Sequence, residues 1–198
     1  MGLRERKKAE TRCRIERTAL DLFAERGYDA VTVNEIAEAA GVAKVTLFTY
    51  FPTKESLVLG PVDNDDFAGA VARREPGQTP LDAVRAYLRA LGEELVEFDP
   101  AELATRMKVI FETPELVAGV SRIHYVQRSA LARALGEGLV AEVMAAAISS
   151  TVLALQEAFF LRLSEGMPVG EVRARLGDDV ELAFDLLEHG FRDHFRRQ

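Results

Sequence analysis

Apolar residues recur along this chain at the three-to-four-residue spacing of helices, and no stretch alternates as a strand would. The pattern predicts an all-α protein. Thr32 followed by Glu35 reads as a capping box that opens a short helix, in which Ile36, Ala37 and Ala40 form one apolar face. Gly41 stands where that helix must stop and the chain turn. A second short helix, 43–50, sends Leu47 and Phe51 inward and leaves Lys44, Val45, Thr49 and Tyr50 outward. Pro52 ends it, and Thr53 caps a further helix running to about Gly60 and resuming beyond Pro61 toward Ala72.

Three later starts share one grammar, a capping side chain and then proline: Thr79-Pro80, Asp99-Pro100 and Thr113-Pro114. Proline is tolerated at the first helical position because the amide hydrogen it lacks would have had no partner. Helices are predicted near 80–98, 100–112, 114–135, 139–165 and 178–196. Leu139 to Leu163 is apolar or small on nearly every side, which predicts burial all round. In the last helix Val180, Phe184, Leu187, Phe191 and Phe195 make a continuous stripe, which suits either a core or a subunit interface.

Two short helices around a tight turn are the pattern of a helix-turn-helix, whose second helix enters a major groove of DNA. A packing-only hairpin is the rival reading. Net charge first argues against nucleic acid, at −7 over 198 residues. Its distribution answers the objection. Residues 1–17 hold seven basic groups (Arg4, Arg6, Lys7, Lys8, Arg12, Arg14, Arg17) against three acidic ones, a local +4 that leaves −11 elsewhere.

The stretch from Thr11 to Leu57 resembles the DNA-binding domain of the tetracycline-repressor (TetR) family. The resemblance is carried by Ile15, Ala19, Leu22 and Phe23, the Gly27-Tyr28 break, Thr32-Val33, Ile36-Ala37, Ala40-Gly41-Val42, Thr46-Leu47, Tyr50-Phe51 and Lys54. It implies a helix-turn-helix domain at 1–52 and a helical ligand-binding and dimerisation domain at 53–198. The expected state is a homodimer paired through 139–163 and 178–195, bound to double-stranded operator DNA. The sequence departs from the commonest family pattern at Ala43, Val45, Phe48 and Thr49, usually Ser, Gly, Tyr and His, which leaves the operator open.

Lys44, Val45 and Thr49 are placed near base edges, and Thr32, Thr46, Tyr50, Lys54, Arg4, Lys7 and Lys8 near phosphates. Thr46 has a rival role in an internal helix bond. Met107, Ile110, Phe111, Tyr125, Arg128 and Phe159 are the candidate ligand residues, since large apolar groups with a few cations suit either a ligand cavity or an ordinary core. The run 107–134 is similar to a subgroup that includes the mycofactocin-system regulator, which implies a hydrophobic or acyl-CoA-like effector.

Other chemistry finds little support. Cys13 is the only cysteine, which fits a reducing cytoplasmic compartment. His189 and His194 are five apart and miss the metalloprotease spacing, while Asp63 to Asp66 cannot open a calcium loop with Phe67 fifth and Arg74 twelfth. No catalytic residue, metal or cofactor is expected. The apolar segment 143–155 is too short to span a membrane. Two rival functions stay open: a constitutive DNA-binding regulator with no effector, and a ligand-binding helical protein that no longer binds DNA.

Overall fold

The computed structural model describes residues 2–60, 67–94 and 99–190. Among these there are ten helices and no strand: α1 (Leu3–Arg26), α2 (Val33–Ala39), α3 (Lys44–Tyr50), α4 (Ser56–Leu59), α5 (Phe67–Ala72), α6 (Pro80–Glu94), α7 (Pro100–Glu112), α8 (Pro114–Leu135), α9 (Gly138–Ser164) and α10 (Val169–His189). All three proline starts fall where expected. At Thr79 the cap is reciprocal, the hydroxyl accepting from Asp82 N–H (3.1 Å) while Thr79 N–H donates to the Asp82 carboxylate (3.2 Å).

One start was misplaced. The last helix begins at Val169, not near 178, with Pro168 as its N-cap and Glu171 in the first turn. Gly170 and Gly177, which look like breaks in the sequence, are accommodated inside it. Phe191, Phe195, His194, the acidic run 63–66 and the predicted helix ends at 98 and 196 lie outside the described residues.

The chain divides into two compact units, residues 1–64 with 101–122, and residues 65–100 with 123–198. In the first, Ile15, Ala19 and Phe23 of α1 bury against Ile36 of α2, Leu47 of α3 and Leu57 and Val58 of α4. Val109 and Ile110 of α7 and Leu116 of α8 complete the same cluster. α8 lies close on α4 because Gly119 has no side chain: an added Cβ would run into Glu55 Oε1 and stand 2.7 Å from Leu59 Cδ1. Arg122 then pairs with Glu55 (2.6 Å), and Arg106 Nη1 donates to the Val58 carbonyl at the end of α4 (2.7 Å).

In the second unit α10 packs on α9 and α6, and α6 on α5. Its core joins Phe67, Val71, Val84, Leu88, Leu131, Ile148, Val152, Val180 and Phe184. Arg85, on α6, reaches Glu181, Asp185 and Glu188 of α10 at 3.3 to 3.5 Å. α9 buries Ala141, Ala145, Ile148, Val152, Leu155 and Phe159, one face at helical spacing. Burial all round was expected, yet within a single chain the opposite face is bare, with Leu139 78%, Val140 72%, Val143 57% and Leu161 58% exposed. At 27 residues α9 is also long and apolar enough by composition to cross a membrane, contrary to the shorter run expected; its regularly buried face is that of a packing helix.

Candidate nucleic-acid interface

The local geometry of α2, and the turn that leads into α3, follow from capping chemistry. Thr32 Oγ1 accepts from Glu35 N–H (3.3 Å), while the Glu35 carboxylate accepts from Thr32 N–H (2.8 Å) and from the Thr32 hydroxyl (2.7 Å). Arg26 adds a bond to Glu35 at 2.8 Å. Those three donors hold the Glu35 carboxyl at about 2, the backbone bond from Thr32 contributing most. α2 then ends in a Schellman turn: Val42 N–H donates to Ala37 O (2.9 Å) and Gly41 N–H to Glu38 O (3.0 Å). Gly41 sits at φ 64°, which a side chain would resist.

This turn delivers α3 with Leu47 fully buried and Lys44, Val45 and Thr49 facing solvent; Val45 is 80% exposed. Phe48, which the sequence reading did not assign to the outward face, is 39% exposed and lies under the Lys44 ammonium (5.9 Å to the ring centroid). Its place four residues after Lys44 was the available signal. Thr46 is half-buried, and its hydroxyl finds no partner among the described residues. Tyr50 is also half-buried, against the first unit's core. It shares an open groove of about 450 Å³ with Arg4, Glu5, Lys7, Lys8 and Thr11 of α1, so four candidate DNA residues from two helices converge there beside one carboxylate.

Two candidates are committed elsewhere. The Thr32 hydroxyl is engaged in the capping box just described. Lys54 turns inward: its Nζ donates to the Tyr28 carbonyl (2.6 Å) and lies 4.2 Å from the Tyr28 ring centroid and 5.6 Å from that of Phe23. Burial lowers the Lys54 pKa, against the pull of Asp29, Glu115 and Glu35. Burial likewise pushes the Tyr28 phenol up to about 12, with Glu115, Glu55 and Asp29 adding to the rise.

The candidate ligand residues separate. Met107 and Ile110 pack into the first unit's core, and Phe111 is 65% exposed. Tyr125 and Arg128 lie in the second unit, the guanidinium 5.3 Å from the tyrosine ring centroid. Arg128 Nε is buried and has no hydrogen-bond partner among the described residues. Phe159 is buried and packs edge-on against Phe160. His124, one residue before Tyr125, is partly buried, and burial lowers its pKa against the pull of Glu157.

Between α9 and α10 an open apolar groove of about 310 Å³ is lined by Ala154, Ala158, Leu182, Ala183 and Leu186, with the Arg162–Asp179 ion pair at its edge. Asp185, Glu188 and His189 stand near enough to share a cation, but all three are exposed and Arg85 already pairs with both carboxylates.

Residues 15–60 match the family described as "Bacterial regulatory proteins, tetR family". The chain is 38% identical over 152 residues to the transcriptional regulator TcmR of Streptomyces glaucescens, covering 73% of this chain and 63% of TcmR. It is 35% identical over 119 residues to the putative mycofactocin biosynthesis regulator MftR of Mycobacterium tuberculosis, covering 57% and 58%. Under two thirds of each of these relatives is therefore spanned. The transcriptional repressor KstR of Rhodococcus jostii is 30% identical over 189 residues, 92% of this chain and 85% of KstR. Among solved structures, that of the SmeT–triclosan complex has the same fold, with a TM-score of 0.55 at 22% identity over 89% of both chains.

Proposed function

The chain belongs to the tetR family of bacterial regulatory proteins, and on that premise we propose that it is a homodimeric repressor that binds duplex operator DNA and is released by a small hydrophobic molecule. The observation that carries the reading is the exposed face of α3, with Lys44, Val45 and Thr49 outward beside a groove lined by Arg4, Lys7 and Lys8. Cations of α1 beside an exposed helix suit the phosphates that flank a major groove. KstR, which aligns over nearly the whole chain, is named a repressor, and that supports repression over activation.

The bare face of α9 and the apolar groove it shares with α10 support pairing of two copies through 139–163 and 178–190. Two-fold pairing places two α3 helices on successive major grooves about 34 Å apart and doubles the sequence read. The reading module proposed at residues 1–52 lies within the first compact unit, 1–64 with 101–122, whose core it shares. The Arg128 guanidinium, 5.3 Å from the Tyr125 ring centroid, is a planar cation of the kind that takes the phosphate or carboxylate end of an effector. An acyl-CoA has that chemistry joined to a greasy tail. Only the difference in effector affinity between the DNA-bound and released forms drives release, typically about 1 to 3 kcal/mol of coupling.

The test is duplex binding by the purified protein across a salt series. A steep fall of affinity with ionic strength, and loss of binding on adding a long-chain acyl-CoA, is the expected result. Salt-sensitive binding that no acyl-CoA or lipophilic drug relieves would point to a constitutive regulator. No duplex binding at low salt would remove the reading altogether.

A further inference from the structure

We infer that α3 reads the operator chiefly through thymine methyl groups, with Val45 as the residue that selects them. This rests on the duplex-binding reading above and adds the base chemistry of the half-site. Of the fully exposed side chains of α3, Lys44 alone carries a donor not bonded within the helix, while the half-buried Thr46 and Tyr50 keep hydroxyls at the margin of that face. Thr49 commits its hydroxyl proton within the helix, donating to the Val45 carbonyl at 2.9 Å, which leaves its oxygen an acceptor only. Val45 and Phe48 are apolar, and Ala43 ahead of them is exposed and apolar too.

Apart from Lys44, whose ammonium can meet guanine N7 and O6, this surface carries no guanidinium, and it lacks the amide that recognises adenine N6 and N7. What it can match is the one apolar feature of a base edge in the major groove, the C5 methyl of thymine. Val45 suits that role because a β-branched side chain in a helix is held in essentially one rotamer, so its methyls arrive in place at little entropic cost. At 80% exposure in the free chain, it also has nearly all of its apolar surface left to cover.

The experiment begins with selection of bound fragments from random duplex DNA, followed by replacement of each half-site thymine in turn by deoxyuridine, which deletes the methyl and leaves base pairing unchanged. Loss of one buried methyl should weaken binding about fourfold at one or two thymines per half-site. At those positions cytosine should bind worse than 5-methylcytosine. In Val45→Ala the parent operator should bind more weakly, and the same deoxyuridine should then cost little or nothing, the non-additivity expected of groups in contact. Because Val45 is exposed, the variant keeps its fold, which circular dichroism checks.

Half-sites without thymine under α3, or deoxyuridine tolerated at every position, would overturn the methyl readout while leaving duplex binding standing. A deoxyuridine effect that persists unchanged in Val45→Ala would remove Val45 as the selecting residue. If no duplex is enriched even at low ionic strength, the duplex-binding reading itself fails, and this inference falls with it.

Discussion

Replacing Lys54 by methionine separates two jobs this side chain could hold. The sequence placed its ammonium on a phosphate; the structure puts it on the Tyr28 carbonyl at 2.6 Å, over the tyrosine ring. A hydrogen bond from a charged donor contributes about 1.5 to 3 kcal/mol, and a partly exposed cation–π contact about 0.5 to 1. Burial of the ammonium, which lowers its pKa, offsets part of this. Methionine keeps the apolar stem, and the Tyr28 carbonyl retains a long bond from Val31 N–H (3.4 Å), so the net loss should be about 1 to 2 kcal/mol. For a chain of this size that lowers Tm by roughly 3 to 6 °C. The pH dependence has a definite sign. A lysine whose folded pKa lies below the ordinary 10.5 binds fewer protons folded than unfolded, so stability should climb as pH rises toward 10.5, and Lys54→Met should flatten that climb. Thermal unfolding by circular dichroism and duplex binding across a salt series measure both roles. A Tm within about a degree of the parent, together with a salt slope reduced by about one, would refute the structural role and make Lys54 a phosphate ligand.

Three further outcomes are expected. Leu182→Glu puts a carboxylate into the α9/α10 groove on a residue now 55% exposed, and should give a folded monomer by light scattering; an undiminished dimer at micromolar concentration would locate the interface elsewhere. Arg106→Met removes the donor to the Val58 carbonyl and should cost about 2 kcal/mol. It should also raise further the pKa of Glu16, which burial already raises and which Arg106 does most to hold down, so that stability falls as pH climbs through the interval above 4.5; a carboxyl NMR titration with Glu16 unmoved would contradict this. Glu35 carries a folded pKa depressed from 4.5 to about 2, so its support of α2 is complete above 4.5 and lost as pH drops through 2; Glu35→Gln should abolish that acid-sensitive step, followed by the amide signals of 33–39.

What was legible in the sequence is local. A capping box, a glycine at φ 64° and proline at a first turn act within four or five residues, so α2, α3, α6, α7 and α8 begin where their own side chains dictate. The start of α10 carries no such signal, since Pro168 is itself the N-cap with no capping side chain, and Gly170 and Gly177 obscured it further, because helix propensity yields to packing against α6 and α9. Pairings distant in sequence were not legible. Nothing near Met107 or Ile110 says that they join Ile15 and Leu57 rather than line a cavity, and nothing near Lys54 says that its ammonium meets a carbonyl 26 residues earlier. The two faces of α9 illustrate the same limit: apolar residues all round it predict burial, but not whether the covering surface belongs to the same chain.

The first unit is assembled from two separated stretches, since Val109, Ile110 and Leu116 close over Ile15, Leu57 and Val58. A gene fragment ending at codon 64 would therefore encode an N-terminal piece with a hole in its side. Anyone grafting this unit onto another tetR-family protein should transplant 101–122 along with it, or choose a recipient whose own residues there refill the gap. Cutting by position in the chain alone would yield a hybrid that fails from poor solubility before its promoter preference could be assayed.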